Sequence, residues 1–297
     1  MSNSPEIVLN CHDTLFKASF NAMASPCECL IETHDHEVAK AVAEIAYQEV
    51  KRIEQKYSRY RNDNICFAIN NSRGSSVEID QETYKLLQFG QKCFEVSDGL
   101  FDLTSGVLRR IWSFKSNSLI PSEQQIEQLK PLIGWSKIEY DQNHIKLKKD
   151  MEIDFGGIGK EYAVDRSVTE ISNKYKGIPV LVNFGGDLRV TLPPTQKSNW
   201  EIGVDSSLPQ LKKSIRLATG AVCTSGDTER YIIDQGVRYG HILNPKTGRP
   251  VAGAPQTVTV IANNCLQAGL LATLAILQGN QAESFLTEQS VKFYCQR

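Results

Sequence analysis

Three glycine-rich turns set charged or hydroxyl side chains beside backbone that can approach a ligand closely: Asp154 to Lys160 (DFGGIGK), Asn183 to Asp187 (NFGGD) and Thr224 to Asp227 (TSGD). Glycine lets such a backbone point several N–H groups at one oxyanion. DFGGIGK also opens a helix, whose N-terminus attracts phosphate, and Lys160 adds positive charge in the first turn. It is not a dinucleotide fingerprint, because no G-x-G-x-x-G follows a strand and Asp154 has the wrong sign for direct phosphate contact. The plainer reading of the run is a tight strand-to-helix turn. A fourth feature is His241, which follows Gly240 and precedes the turn Asn244-Pro245-Lys246-Thr247-Gly248. Its neutral imidazole can accept a proton near neutral pH. His12, His34, His36 and His144 sit in polar segments without such a setting. The chain from TSGD returns through Gly236 to HILNPKTG, which reads as a hairpin carrying the two polar ends to one place.

The elements that must position these groups follow from periodicity. His36 to Tyr57 carries Val38, Ala41, Val42, Ile45, Val50 and Ile53 at helical spacing and delivers Ser58, Arg59 and Tyr60 at its C-terminal end. A second helix over Gln81 to Val96 ends at Ser97-Asp98-Gly99, where glycine suits a left-handed cap, and Phe101 to Gly106 follow on a turn. There Asp102 and Thr104 are either ligand contacts or simple caps. A third helix spans Lys160 to Lys176. Strands are expected at 178–184, running into Gly185-Gly186-Asp187, and at 200–204, 214–218, 230–234, 257–262 and 291–295. A nearly all-apolar helix covers Leu266 to Leu277. Strands joined by hairpins and interrupted by helices give an α+β fold.

Composition bounds the remaining possibilities. With 297 residues, 41% hydrophobic and 23% charged, the chain is an ordinary globular protein able to bury a full core, and no linker or repeat separates independent domains. A net charge of -1 supplies no field for nucleic acid or an anionic membrane. No signal-like or membrane-spanning apolar run is present, so no membrane insertion and a cytoplasmic location are the expectations. The 8 cysteines contain no C-x-x-C pair and read as free, mostly buried thiols rather than a zinc site or disulfide framework.

Eight ordered segments carry a resemblance: FNAMASPCE, YSRYRNDNICFAIN, DGLFDLTSGVLRRIW, DFGGIGKEYAVD, VNFGGD, TSGDTERY, HILNPKTGRPV, and VTVIA with its following Ala-Thr helix. Together they resemble the FAD:protein FMN transferase (ApbE) family. The resemblance implies a single T-fold-like α+β domain over 16–297, with a mainly antiparallel sheet and flanking helices, after an N-terminal extension over 1–15. It implies an enzyme that binds FAD, transfers the FMN half to a Thr or Ser hydroxyl of an acceptor protein and releases AMP, with magnesium as the usual cation. Met23, Tyr60, Leu100, Phe101, Asp102, Asp154, Lys160 and Ile242 match positions lining the family's FAD site, and Asn70, Gly185, Gly186, Asp187, Thr224 and Ser225 match further motif positions. Met and Tyr suit a flat aromatic ring, and Lys160 suits a pyrophosphate. His241 or Asp227 would orient or deprotonate the incoming hydroxyl, with His241 favoured.

For the metal, the resemblance places a backbone carbonyl at Gly157, an aspartate at 269 and a threonine at Thr273. The chain departs from that pattern, because Gly269 has no carboxylate, and Glu161 stands where a glycine commonly follows the lysine. Two alternatives accompany this departure: a protein that retains FAD without transfer, and an FAD pyrophosphatase releasing FMN and AMP.

Overall fold

The computed structural model describes residues 7–115, 118–204, 213–227 and 230–297. Residues 1–6 of the expected extension, and Thr228 and Glu229 of TSGDTERY, lie outside the described residues.

The largest sheet has eight strands in the order Val8–His12, Leu15–Ala22, Ser25–Glu32, Val180–Phe184, Asp187–Val190, Gly220–Gly226, Thr257–Ala262 and Lys292–Gln296. Val8–His12 pairs antiparallel with Leu15–Ala22 from Val8↔Ser19 to His12↔Leu15, so the sheet begins inside the span expected to be an extension. Four of its five residues are exposed, so the ladder holds it rather than burial and no period-2 pattern marks it in the sequence. Leu15–Ala22 does alternate, with Phe16, Ala18, Phe20 and Ala22 turned inward.

The described chain separates into two compact units, each assembled from three separated segments. In the first unit, Met1–Glu54, Ile158–Thr224 and Val260–Gly269, Phe20 meets Tyr47 edge-on at 5.4 Å and Phe184 at 6.0 Å, tying sheet to helix. The helix His36–Tyr57 buries Ala39, Val42, Ala43, Ala46, Val50 and Ile53. Val38, Ala41 and Ile45, expected on the buried stripe, are only half-buried: alanines occupy the closest approach and rotate the face by one position. Each fully buried Val or Ile there contributes about 1.5–3 kcal/mol.

The second unit, Gln55–Gly157, Ser225–Thr259 and Leu270–Arg297, has a core of Val107, Leu108, Trp112, Ile126, Ile133 and Ile232, with Phe114, Tyr239 and Leu243 partly buried against it. The hairpin expected between TSGD and HILNPKTG is present: Tyr231–Asp234 pairs with Val237–Gly240 across a two-residue turn in which Gln235 and Gly236 have φ of 48° and 79°. Two positive φ values define the turn whose twist matches a hairpin. The other helices and strands that were expected fall within a residue or two of expectation, while the strands Leu15–Ala22, Ser25–Glu32, Asp187–Val190 and Gly220–Gly226 and the helices Ile65–Asn70, Glu123–Leu129 and Ala282–Glu288 are among those not expected. The third helix is Gly159–Lys174 and the last Cys265–Leu277. None of the described helices is long and apolar enough to cross a membrane.

Candidate functional site

In the first unit, two hairpin tips and one helix start hold the sequence-selected groups. Met23 and Ala24 form the tip joining Leu15–Ala22 to Ser25–Glu32, and both have positive φ, 49° and 55°, although neither is glycine. Left-handed backbone is costly for such residues. Glu54 accepts the Met23 N–H at 2.8 Å and helps to hold the tip. Gly185 and Gly186 form the tip between Val180–Phe184 and Asp187–Val190, with φ of 62° and 95°. A side chain at Gly185 would fall 2.7 Å from the Ser25 Cβ, so this close approach requires glycine. The helix Gly159–Lys174 starts at Ile158 with no side-chain cap, which leaves its first turn available to an anion. Lys160 pairs with the buried Asp187 at 2.9 Å. Burial pulls the Lys160 ammonium down, but the charges of Asp187 and Glu161 outweigh it and hold the group above its ordinary value, so the lysine is cationic. Asp187 is therefore the partner of Lys160.

Glu161 is the unexpected resident of this region. Only 8% of it is exposed, and its Oε2 is buried with no hydrogen-bond partner among the described residues. Burial, reinforced by the Asp187 charge and opposed by Lys160, pushes its carboxyl well up. A Cβ on Gly269 would lie 2.6 Å from Glu161 Oε1, 2.7 Å from Cγ and 3.1 Å from Cδ. The space beside Gly269 is thus filled by the Glu161 side chain.

In the second unit, Arg59 forms an ion pair with Asp154, donates to the Tyr60 hydroxyl at 3.0 Å and lies 5.1 Å from the Tyr60 ring centroid. Tyr60 is 81% exposed, so its ring is a platform backed by a guanidinium. Asp154 also accepts the Gly156 N–H at 2.8 Å, which fixes the turn into Gly157. Asn70 donates to the Ile153 carbonyl at 2.9 Å and accepts its N–H at 2.8 Å, so its amide positions the residue before Asp154.

Asp102 is buried and its carboxylate is fully engaged, accepting the Thr104 N–H at 2.8 Å, the Thr104 hydroxyl at 2.7 Å and the Trp135 N–H at 3.1 Å. Of the two readings the sequence left open, its side chain takes the capping one, at the start of the 3-10 helix Leu103–Arg110. Phe101 is buried, with its ring 3.4 Å from where a Gly157 side chain would begin, and Leu100 is half-buried.

Asp227 departs from its expected part. Arg238 grips its carboxylate with Nε at 3.0 Å and Nη2 at 2.9 Å, and Nη2 also donates to its backbone carbonyl at 2.7 Å. The carboxylate is thus held in a bidentate guanidinium fork. It lies against the hairpin, 2.7 Å from where a Gly240 side chain would begin, and so holds the residue before His241. The His241 ring meets Phe114 edge-on at 6.2 Å, and Phe114 in turn stacks on Trp112. Ile242 follows, half-buried, while Thr224 is exposed at the end of its strand. Ser225 and Thr273 share a hydrogen bond of 2.9 Å, joining a residue expected at the flavin to one expected at the metal.

Arg59, Arg238 and Asp165 escaped the sequence reading. Asp165 accepts the N–H groups of Cys265 and Leu266, both at 3.0 Å, and pairs with Arg189, so it caps the helix that carries Gly269. Arg59 had a signal in its place between Ser58 and Tyr60, and Arg238 had one in the hairpin that brings it back toward Asp227, whereas Asp165 had none, because the Cys265 and Leu266 N–H groups it accepts are about 100 residues away.

The fold is α+β; the first unit carries an uncapped helix start with a cationic lysine, and the second carries an exposed tyrosine beside a paired carboxylate. The chain belongs to the ApbE family, whose model matches residues 23–295. It is 26% identical over 265 residues to an FAD:protein FMN transferase of Klebsiella pneumoniae, covering 86% of this chain and 81% of that protein. A crystal structure of an ApbE protein from Thermotoga maritima superposes with a TM-score of 0.86 at 30% identity, over 95% of this chain and 94% of that one. The apo flavinyl transferase ApbE of Pseudomonas stutzeri shares the fold, with a TM-score of 0.84 at 23% identity over 99% and 92% of the two chains.

Proposed function

We propose that this chain is an FAD:protein FMN transferase that joins the FMN half of FAD to a Thr or Ser hydroxyl of an acceptor protein and releases AMP. The observation that carries this reading is the unbroken family match over 23–295, with Lys160 held charged at an uncapped helix start. Tyr60 and Met23 offer faces to the flat rings of FAD, and Lys160 with the first-turn N–H groups answers its pyrophosphate. The acceptor oxygen bonds to the FMN-side phosphorus, the bond from that phosphorus to the bridging oxygen breaks, and the electron pair leaves on AMP. The hydroxyl proton passes to the His241 imidazole, and Asp227 acts as a positioning residue through its Arg238 fork and its contact with Gly240. Phosphoryl transfer depends mainly on such positioning and on charge stabilisation.

A divalent cation, when bound, neutralises phosphate charge. The Gly157 carbonyl and the Thr273 hydroxyl are oxygen donors of the kind such a hard cation takes, and the buried Glu161 Oε2, without a hydrogen-bond partner among the described residues, is a carboxylate oxygen that a cation would satisfy.

The test is incubation with FAD, Mg2+ and a threonine-bearing acceptor peptide, following AMP and peptide mass together. The expected result is AMP with an FMN-sized mass gain on the peptide; AMP and free FMN with unmodified peptide would instead mean hydrolysis. His241→Ala should lower the transfer rate about 10²–10⁴-fold with FAD still bound, and an unchanged rate would remove His241 from the mechanism.

A further inference from the structure

We infer that Glu161 supplies the carboxylate for a divalent cation, so that this ligand has moved from position 269 on the helix Cys265–Leu277 to the helix Gly159–Lys174. The inference rests on the cation reading above and says which residue of this chain serves it. Three observations carry it.

The first is spatial. The Glu161 side chain stands in the volume that any side chain at 269 would enter, with Oε1 2.6 Å from the Gly269 Cβ position. A carboxylate therefore sits where the resemblance expects one, but reaches it from the other helix.

The second is electrostatic. Glu161 is about nine-tenths buried and its Oε2 has no hydrogen-bond partner among the described residues. Burying an unpaired carboxylate is costly, and natural cores avoid it unless the group is paired or bound to a cation. The neighbouring cation, Lys160, is already joined to Asp187 at 2.9 Å, and Asp165 is joined to Arg189 at 2.8 Å. Both nearby acids are joined to cations in ion pairs, whereas among the described residues Lys160 acts on Glu161 through its charge without pairing with it.

The third is the donor set. No cluster of three or more His, Cys, Asp or Glu side chains suited to a metal occurs among the described residues, which argues against a transition-metal cage. One carboxylate, a hydroxyl, a carbonyl and substrate phosphates are instead how magnesium is commonly held. The two departures from the family pattern, glycine at 269 and glutamate at 161, become one exchange. A glycine at 269 makes room for the glutamate, and the glutamate replaces what the glycine lost.

The test is Mn2+ binding, read by electron paramagnetic resonance, to the full-length protein saturated with FAD. Wild type, Glu161→Gln, and the exchange variant Glu161→Gly/Gly269→Asp are compared, each checked for folding by thermal unfolding in EDTA. Glu161→Gln should weaken Mn2+ binding by about tenfold or more, the order of loss seen when a metal site is disturbed, without lowering the unfolding temperature in EDTA. The exchange variant should restore the affinity. Wild-type affinity in Glu161→Gln, or no recovery in the exchange variant, overturns the inference; the exchange variant also decides the matter if Glu161→Gln does not fold. An absence of Mn2+ binding by the wild type would defeat the cation reading itself, a different failure from an E161Q protein that binds like wild type.

Discussion

Gly269→Asp, which installs the aspartate that the family resemblance expects, should harm the protein when made alone. The new Cβ would lie 2.6, 2.7 and 3.1 Å from Oε1, Cγ and Cδ of Glu161. Because Cγ is among the clashing atoms, turning the terminal carboxylate cannot clear the contact, and the buried side chain has little room to swing away. Overpacking of this kind costs about 1–3 kcal/mol. Two carboxylates about 4 Å apart repel by up to about 4 kcal/mol at an effective dielectric constant near 20, an upper limit because Glu161 can take up a proton instead. Against this, removing a mid-helix glycine recovers at most about 1 kcal/mol of helix propensity. The balance is a loss of about 2–4 kcal/mol, which at about 2–4 °C per kcal/mol for a large domain lowers the unfolding temperature by about 4–16 °C. Differential scanning calorimetry in EDTA measures it free of metal. Glu161→Gly in the same chain should remove most of the loss, giving a coupling energy of about 2 kcal/mol or more between the two positions. A Gly269→Asp protein as stable as wild type, or a double variant no better than the single, would refute the claim that Glu161 fills the space at 269.

Three further outcomes are expected. Tyr60→Ala should weaken FAD binding by about tenfold, near the top of the range for an aromatic pair, while the unfolding temperature stays put, because the ring is 81% exposed; flavin fluorescence titration and a melt decide it. Asp227→Asn weakens the Arg238 fork without removing a proton acceptor, so the rate should fall by no more than about tenfold with its acid limb unmoved, whereas loss of that limb would make Asp227 the base. Thiol labelling of native protein at pH 8 should find Cys11 fast and the buried cysteines slow. Burial pushes the Cys27 and Cys265 thiols up to about 11 and the Cys66 and Cys93 thiols up to about 12, leaving them protonated and unreactive at that pH.

The α+β class, the long helices and the hairpin through Gly236 were legible because each rests on local periodicity or on a turn residue. So were the glycine tips: Gly185 and Gly186 have the positive φ that glycine permits, and Gly185 admits the close approach of Ser25. The strand Val8–His12 was not legible, since it is exposed and held by pairing alone. For the candidate site residues, the sequence did not reveal the hydrogen-bond partners. Asp102 caps a helix, Asn70 holds Ile153, and Asp227 serves Arg238, each through hydrogen bonds to partners that spacing along the chain does not reveal.

What the sequence by itself determined is the family and the set of segments that carry it, because motif order survives in one dimension. Only the tertiary structure decided which carboxylates are engaged and which is left over. Asp102, Asp154, Asp165, Asp187 and Asp227 each have donors or a cation, whereas Glu161 Oε2 has no hydrogen-bond partner among the described residues and the side chain's Oε1 and Cγ lie against Gly269. Read along the chain, glycine at 269 and glutamate at 161 are two unrelated departures. Folded, they share one volume, and steric exclusion with the cost of a buried charge makes each the condition of the other.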